Sequence, residues 1–167
     1  SGKNLVTIIN DILDLSKIEA GKLELSIEPV NPGLIFSELK SIFSIKISEK
    51  GLDFRINIDP DMPESLLLDE IRLRQILINI LGNAIKFTEK GFVTLSAYII
   101  TKSNTGNYVD ICIEIQDTGI GIPGNQKEEI FKAFKQQEGL NLKKYGGTGL
   151  GLTITKRLVE AMNGEIS

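Results

Sequence analysis

Two asparagines, one aspartate and two glycine-rich stretches carry the chemistry of this 167-residue chain. Asn79 and Asn83 stand four apart in a strongly apolar helical run, so they lie one above the other on a helix face. An amide oxygen ligates Mg2+ without adding charge, and phosphates and water take the remaining octahedral positions. Lys86 and Phe87 extend that face by a turn, with Lys86 able to pair with phosphate oxygens. As ordinary structure the asparagines would simply be solvated, which two at ligand spacing in an apolar run argue against.

The first glycine-rich stretch, Asp117-Thr-Gly-Ile-Gly-Ile-Pro123, follows an alternating strand. A carboxylate at the strand end can accept from an exocyclic amine such as that of adenine. Guanine presents a carbonyl there, leaving two acceptors face to face, so the site prefers ATP to GTP. Gly119 and Gly121 let the loop pass close to the base. Read as ordinary structure, the same residues are an Asp-Gly turn. Gly119, Gly121 and Gly124 also satisfy G-x-G-x-x-G, the dinucleotide-binding pattern. Pro123 inside the loop and the lack of a continuing βαβ unit argue against that reading.

The second stretch, Tyr145 to Leu152, opens a helix, so Gly147, Thr148, Gly149, Leu150 and Gly151 offer backbone N–H groups at a positive helix end suited to phosphates. No G-x-x-x-x-G-K-[ST] occurs, so this is not a Walker loop. Lys143 and Lys144, just before it, could reach the terminal phosphate from a flexible lid. Together these groups describe a nucleotide–magnesium pocket.

Composition narrows the options. There is no histidine and one cysteine, so no zinc site and no Ser-His or Cys-His pair can form within the chain. A net charge of −3 argues against a nucleic-acid binder. No apolar run approaches bilayer length, no secretory signal opens the chain, and the lone Cys112 fits a reducing compartment. The expected location is cytoplasmic, in a parent that could itself be membrane-anchored.

The elements that must position these groups follow from periodicity. Leu5, Ile8, Ile9, Ile12, Leu15 and Ile18 mark a helix over 3–20, either docked on its own domain or half of a helical bundle. Leu23, Leu25 and Ile27 suggest a short strand or extended linker that Pro29 ends. Asn31-Pro32 starts a helix burying Ile35, Leu39, Ile42, Phe43 and Ile47, stopped by Gly51. A strand over 52–58 and a loop over 59–63 precede the central helix, about 68–87, with Ile71, Ile76, Leu77, Ile80, Leu81, Ala84 and Ile85 inward. Strands at about 91–101 and 108–116 form a hairpin, the second buried. A short helix over 126–134, a last helix over about 148–162 and a strand begun by 165–167 complete the order. This order predicts an α+β fold, a two-layer sandwich with a mixed sheet and helices on one face, preceded by an N-terminal helix.

These residues resemble a known family. The run Gln75-Ile-Leu-Ile-Asn-Ile-Leu-Gly-Asn-Ala-Ile-Lys-Phe-Thr88 resembles the N box of bacterial-type sensor histidine kinases. Asp117 to Gly121 resembles their G1 box, Gly146 to Leu152 their G2 box, Phe131 and Phe134 their F box, and Lys135 to Tyr145 their ATP lid. Residues 5–25 are similar to the end of the second dimerisation helix and its linker, dividing the chain at 1–22 and 23–167. The resemblance implies a catalytic domain that binds ATP and passes its γ-phosphoryl group to a histidine, for relay to a response-regulator aspartate.

By that resemblance Asn83 is the Mg2+ ligand, with Asn79 beside it and Lys86 toward the phosphates. Phe87 packs near adenine and Asp117 holds its amine. The phosphoacceptor histidine and the first dimerisation helix are missing, as are the C-terminal strands expected after 163–167, so the chain reads as a truncated fragment. Its implied partners are ATP and ADP, a phosphoacceptor-histidine domain in trans or from the rest of the parent, a receiver domain, and a second copy through the N-terminal helix. No nucleic acid is expected. ATPases of the same superfamily carry a glutamate base about where Asn79 stands. An amide cannot take a proton from water near neutral pH, so transfer is favoured over hydrolysis. A docking module with the same fold, an ATP hydrolase and a serine or threonine kinase are the alternatives.

Overall fold

In the computed structural model the described residues are 2–103, 105, 107–133 and 149–167. The chain divides into two compact units. Residues 27–70 and 80–121 form one; residues 1–26, 71–79 and 122–167 form the other.

The 27–70/80–121 unit holds the sheet. Helix α2, Pro32–Lys50, starts where the sequence places it: Asn31 accepts the Leu34 N–H at 3.2 Å and Pro32 occupies the first turn. It stops at Gly51, whose φ of 61° is a left-handed cap. Ile35, Phe36, Leu39 and Phe43 are buried. Ile42, expected in the core, is 57% exposed, and Phe36, not expected there, is fully buried. The inward stripe keeps Ile35, Leu39 and Phe43 but takes in Phe36 in place of Ile42.

Strands β2 (Asp53–Ile58), β4 (Phe92–Lys102) and β5 (Val109–Asp117) form a mixed sheet in the order β2-β4-β5. β2 runs parallel to β4, and β4 antiparallel to β5. Val93, Leu95 and Ala97 alternate into the core with Phe54 of β2. β5 is only half-buried and, among the described residues, pairs on one side alone, so Asp117 ends a strand less covered than its alternation implied.

Two short strands, β1 (Glu28–Val30) and β3 (Leu66–Leu68), pair antiparallel as a second sheet. Pro29 therefore does not end a strand; it sits within β1, opposite Leu67, where a two-stranded ribbon has edges that tolerate a missing N–H. Leu68, where the central helix was expected to open, is instead the last residue of β3, because the Leu run carries no period that distinguishes the two. Helix α3 begins at Glu70 and ends at Phe87. Leu73, Ile76, Leu77, Leu81, Ala84 and Ile85 are buried, while Ile71 is 68% exposed, contrary to expectation.

Asp59 closes the loop after β2. Its carboxylate accepts backbone N–H groups from Asp61 at 2.9 Å and Ile99 at 3.3 Å, which hold its pKa below the usual aspartate value. The sign is that of a depressed acid: the stability it adds is present above about pH 4 and is lost as pH falls through the lowered pKa. Asp59→Asn should flatten the acid limb of a plot of melting temperature against pH between 7 and 3. Parallel curves for the two proteins would contradict this.

The second unit contains α1 (Gly2–Glu19), the start of α3, and α4 (Gly151–Ala161). Within it Asp14 of α1 accepts from Gln75 Nε2 at 2.9 Å and pairs with Arg72 at 3.3 Å. α1 thus docks on residues of its own unit while Val6, Ile9, Ile12 and Leu13 stay exposed. The helix expected over 126–134 is two 3-10 turns, Gly124–Gln126 and Glu129–Phe131, too short for an apolar face. Residues 165–167 have no regular structure: no strand pairs with them among the described residues. None of the described helices is long and apolar enough to cross a membrane.

Candidate functional site

Helix α3 supplies the first group of residues. Its apolar side is buried, and Asn79, Asn83, Lys86 and Phe87 lie at the half-buried margin. Asn79 Nδ2 donates to Thr155 Oγ1 of α4 at 2.8 Å, within one unit. Gly151, the first residue of α4, lies against the same amide: a Cβ there would come within 2.3 Å of Asn79 Oδ1. Asn79 is therefore oriented by the glycine cluster's helix. At the other end of α3, the Lys86 ammonium lies 4.8 Å from the centre of the Phe87 ring, and burial lowers its pKa.

The 117–121 loop supplies the second group. Asp117 Oδ1 accepts the Gly119 N–H at 2.8 Å, an Asx-type turn that aims the exposed carboxylate outward. Thr88, fully buried, donates to Ala84 O at 2.7 Å, and its hydroxyl lies 3.5 Å from Asp117 Oδ1. The loop rests on the end of α3, for a Cβ on Gly119 would lie 2.6 Å from the Phe87 carbonyl oxygen. Gly121 has φ 70°, the left-handed region open to glycine. Thr118 fastens the loop's far side, its hydroxyl accepting the Phe92 N–H at 3.0 Å.

The third group starts α4. Gly149 has φ 71°, Leu150 is buried, and Leu150 caps the helix without a side-chain hydrogen bond. The helix begins at Gly151, three residues later than the expected 148. Thr153 donates to Phe131 O at 2.9 Å and Lys156 lies 5.4 Å from the Phe131 ring centre, which ties Phe131 to α4. Lys143, Lys144, Gly147, Thr148 and Phe134 lie outside the described residues.

Lys50 and Arg72 fall outside every motif, and no local pattern marks them, since their partners lie far away in sequence. Thr118, Gln75 and Asp14 lie within the motif runs, but their bonds to Phe92, Asp14 and Arg72 are not legible there.

The donor set suits Mg·ATP. Among the described residues no three His, Cys, Asp or Glu side chains gather as a metal cluster. A side-chain amide such as that of Asn83 is the kind of neutral oxygen donor that a hard cation accepts beside a nucleotide's own phosphates.

Residues 68–167 match the family described as histidine kinase-, DNA gyrase B-, and HSP90-like ATPase. The chain is 44% identical over 167 residues to the signal transduction histidine-protein kinase BarA of Escherichia coli (strain K12), covering all of this chain and 18% of BarA. It is 44% identical over 168 residues to hybrid signal transduction histidine kinase L of Dictyostelium discoideum, covering all of this chain and 10% of that kinase. Full-length ShkA, solved in complex with AMPPNP, superposes with a TM-score of 0.81 at 36% identity over 98% of this chain and 32% of ShkA. The chain thus spans less than a fifth of these two curated relatives. With Asn79 and Asn83 on α3 and Asp117 at the end of β5, it belongs to the histidine kinase-, DNA gyrase B- and HSP90-like ATPase family.

Proposed function

We propose that this domain binds Mg·ATP and donates the γ-phosphoryl group to a histidine outside the chain, for relay to a receiver aspartate. The observation that carries the reading is the Asp117 carboxylate, turned outward by Gly119 at the end of β5 and resting beside the last turn of the helix that bears Asn83 and Lys86. Asp117 accepts the adenine amine, and Phe87 packs near the base. Asn83 holds the cation, Lys86 meets phosphate oxygens, and Gly149 to Gly151, with Lys143, Lys144, Gly147 and Thr148, close the phosphate end. Bound Mg2+ supplies charge neutralisation of the phosphates.

The transfer itself balances simply. An imidazole nitrogen forms a bond to the γ-phosphorus, the bond to the β–γ bridging oxygen breaks, and ADP leaves with that electron pair. Asn79, an amide bonded to Thr155, offers no base for water, which favours transfer over hydrolysis. With no histidine in the chain, the acceptor must be supplied from elsewhere. We place residues 1–22 as the end of a dimerisation helix and 23–167 as the catalytic part. The exposed Val6, Ile9, Ile12 and Leu13 offer a seam for a second copy.

Asn83→Ala tests the cation's place. AMPPNP affinity of the unmodified domain should rise about tenfold or more on adding Mg2+, an increment of about 1.4 kcal/mol, and the variant should lose that increment while keeping its Mg2+-free affinity. An undiminished Mg2+ effect in the variant would remove Asn83 from the metal site. Transfer of label from ATP to an added phosphoacceptor-histidine domain, stable to base and labile to acid, tests the reaction. Label on this chain with the same stability would contradict it.

A further inference from the structure

Lys50, the last residue of α2, belongs to no nucleotide-binding motif. Its Nζ donates to three carbonyls of one segment: Ile85 O at 2.8 Å, Lys86 O at 2.8 Å and Thr88 O at 3.0 Å. An ammonium group has three protons and no acceptor, so each proton has its own carbonyl. Ile85 and Lys86 lie in the last turn of α3, where helix carbonyls lack intrahelical donors and where a cation also suits the negative end of the dipole.

The residue directly after Phe87 is Thr88, not a glycine that would end the helix. Its exit is instead set by Thr88, bonded back to Ala84 O through both its N–H (3.1 Å) and its hydroxyl (2.7 Å), and by Lys50. That exit is the bed of the adenine loop. Gly119 sits against the Phe87 carbonyl, and the Thr88 hydroxyl lies 3.5 Å from Asp117 Oδ1. Moving residues 85–88 by a few tenths of an ångström therefore moves the support under Asp117 and Gly119.

We propose that Lys50 is a positioning residue for base recognition: by holding three carbonyls at the end of α3, it fixes the backbone on which the Asp117–Gly119 loop rests. It sets adenine selectivity without touching the nucleotide. The proposal rests on Asp117 being the adenine acceptor. A cap that only stabilised the fold would change melting temperature and leave selectivity alone. A lysine that reached the phosphates would change affinity for all nucleotides equally.

The test is calorimetric titration of the whole 167-residue chain and of Lys50→Met with AMPPNP and GMPPNP. It is run in Mg2+ at a temperature where circular dichroism shows both proteins folded. The variant should bind AMPPNP about tenfold more weakly, with the adenine-to-guanine preference narrowed several-fold. AMPPNP affinity within twofold of the unmodified chain, or a loss equal for both nucleotides, overturns the proposal. If the unmodified chain shows no adenine preference, the assignment of Asp117 has failed instead. Should Lys50→Met not fold, Lys50→Gln, which keeps an amide donor for one or two carbonyls, is read by the same criteria.

Discussion

Asp117→Asn is expected to weaken AMPPNP binding by about 100-fold to 1,000-fold, or roughly 3–4 kcal/mol. The geometry explains why so small a change costs so much. One oxygen of Asp117 is committed to the Gly119 N–H at 2.8 Å. In the asparagine variant the side-chain oxygen keeps that bond, so the NH2 group takes the outward position. It then meets the adenine amine donor to donor. A charge-assisted hydrogen bond, worth about 1.5–3 kcal/mol, is lost, and two donors are left facing each other. Because Asp117 is exposed and its loop is held by Gly119, Thr118 and the end of α3, the fold should be nearly unaffected. Titration of both proteins, with melting curves as control, checks this. Undiminished binding by a folded variant would mean that Asp117 does not read the base.

Phe36→Ala should give the largest loss of stability. The side chain is fully buried on α2, and truncating a buried phenylalanine costs about 3–5 kcal/mol through lost transfer energy and the cavity left behind. For a chain of this length that is a fall in melting temperature of roughly 6–20 °C. Ile42→Ala, on the same helix, should stay within about 0.5 kcal/mol of the unmodified protein because Ile42 is 57% exposed. The pair discriminates two placements of the helix, since the periodicity alone put Ile42 inside and passed over Phe36. Equal effects from the two substitutions would show that α2 is rotated from the orientation described.

That contrast shows where sequence reasoning holds. α2 was legible at both ends because Asn31, Pro32 and Gly51 act through their own backbone within one turn. Its inward face was legible in part: Ile35, Leu39 and Phe43 are buried as expected, but Ile42 is exposed and Phe36 was passed over, because only packing selects among apolar residues spread round the helix. The same division runs through the site. Asn79, Asn83 and Asp117 announced themselves by residue type in apolar or glycine-rich settings. Lys50 did not, because a lysine near a helix end is common, and its three carbonyls lie 35–38 residues on. Pro29 and the Leu66–Leu68 strand were misread because β pairing between distant three-residue segments leaves almost no local signal.

By itself, then, the sequence determined the chemistry on offer: neutral oxygens for a hard cation, a carboxylate for an amine, glycines for close backbone approach, and no histidine to receive a phosphoryl group. It also determined the succession of α2, β2, α3, β4 and β5, since caps, periods and turns are local, but not the β1–β3 pair. Only the tertiary structure decided how those groups are held: Asn79 turned to Thr155, Asp117 turned outward over the end of α3, and Lys50 gathering that end's carbonyls. The physical reason is range. Backbone conformation answers to neighbours within a few residues, whereas the orientation of a side chain answers to whatever folding brings against it from dozens of residues away.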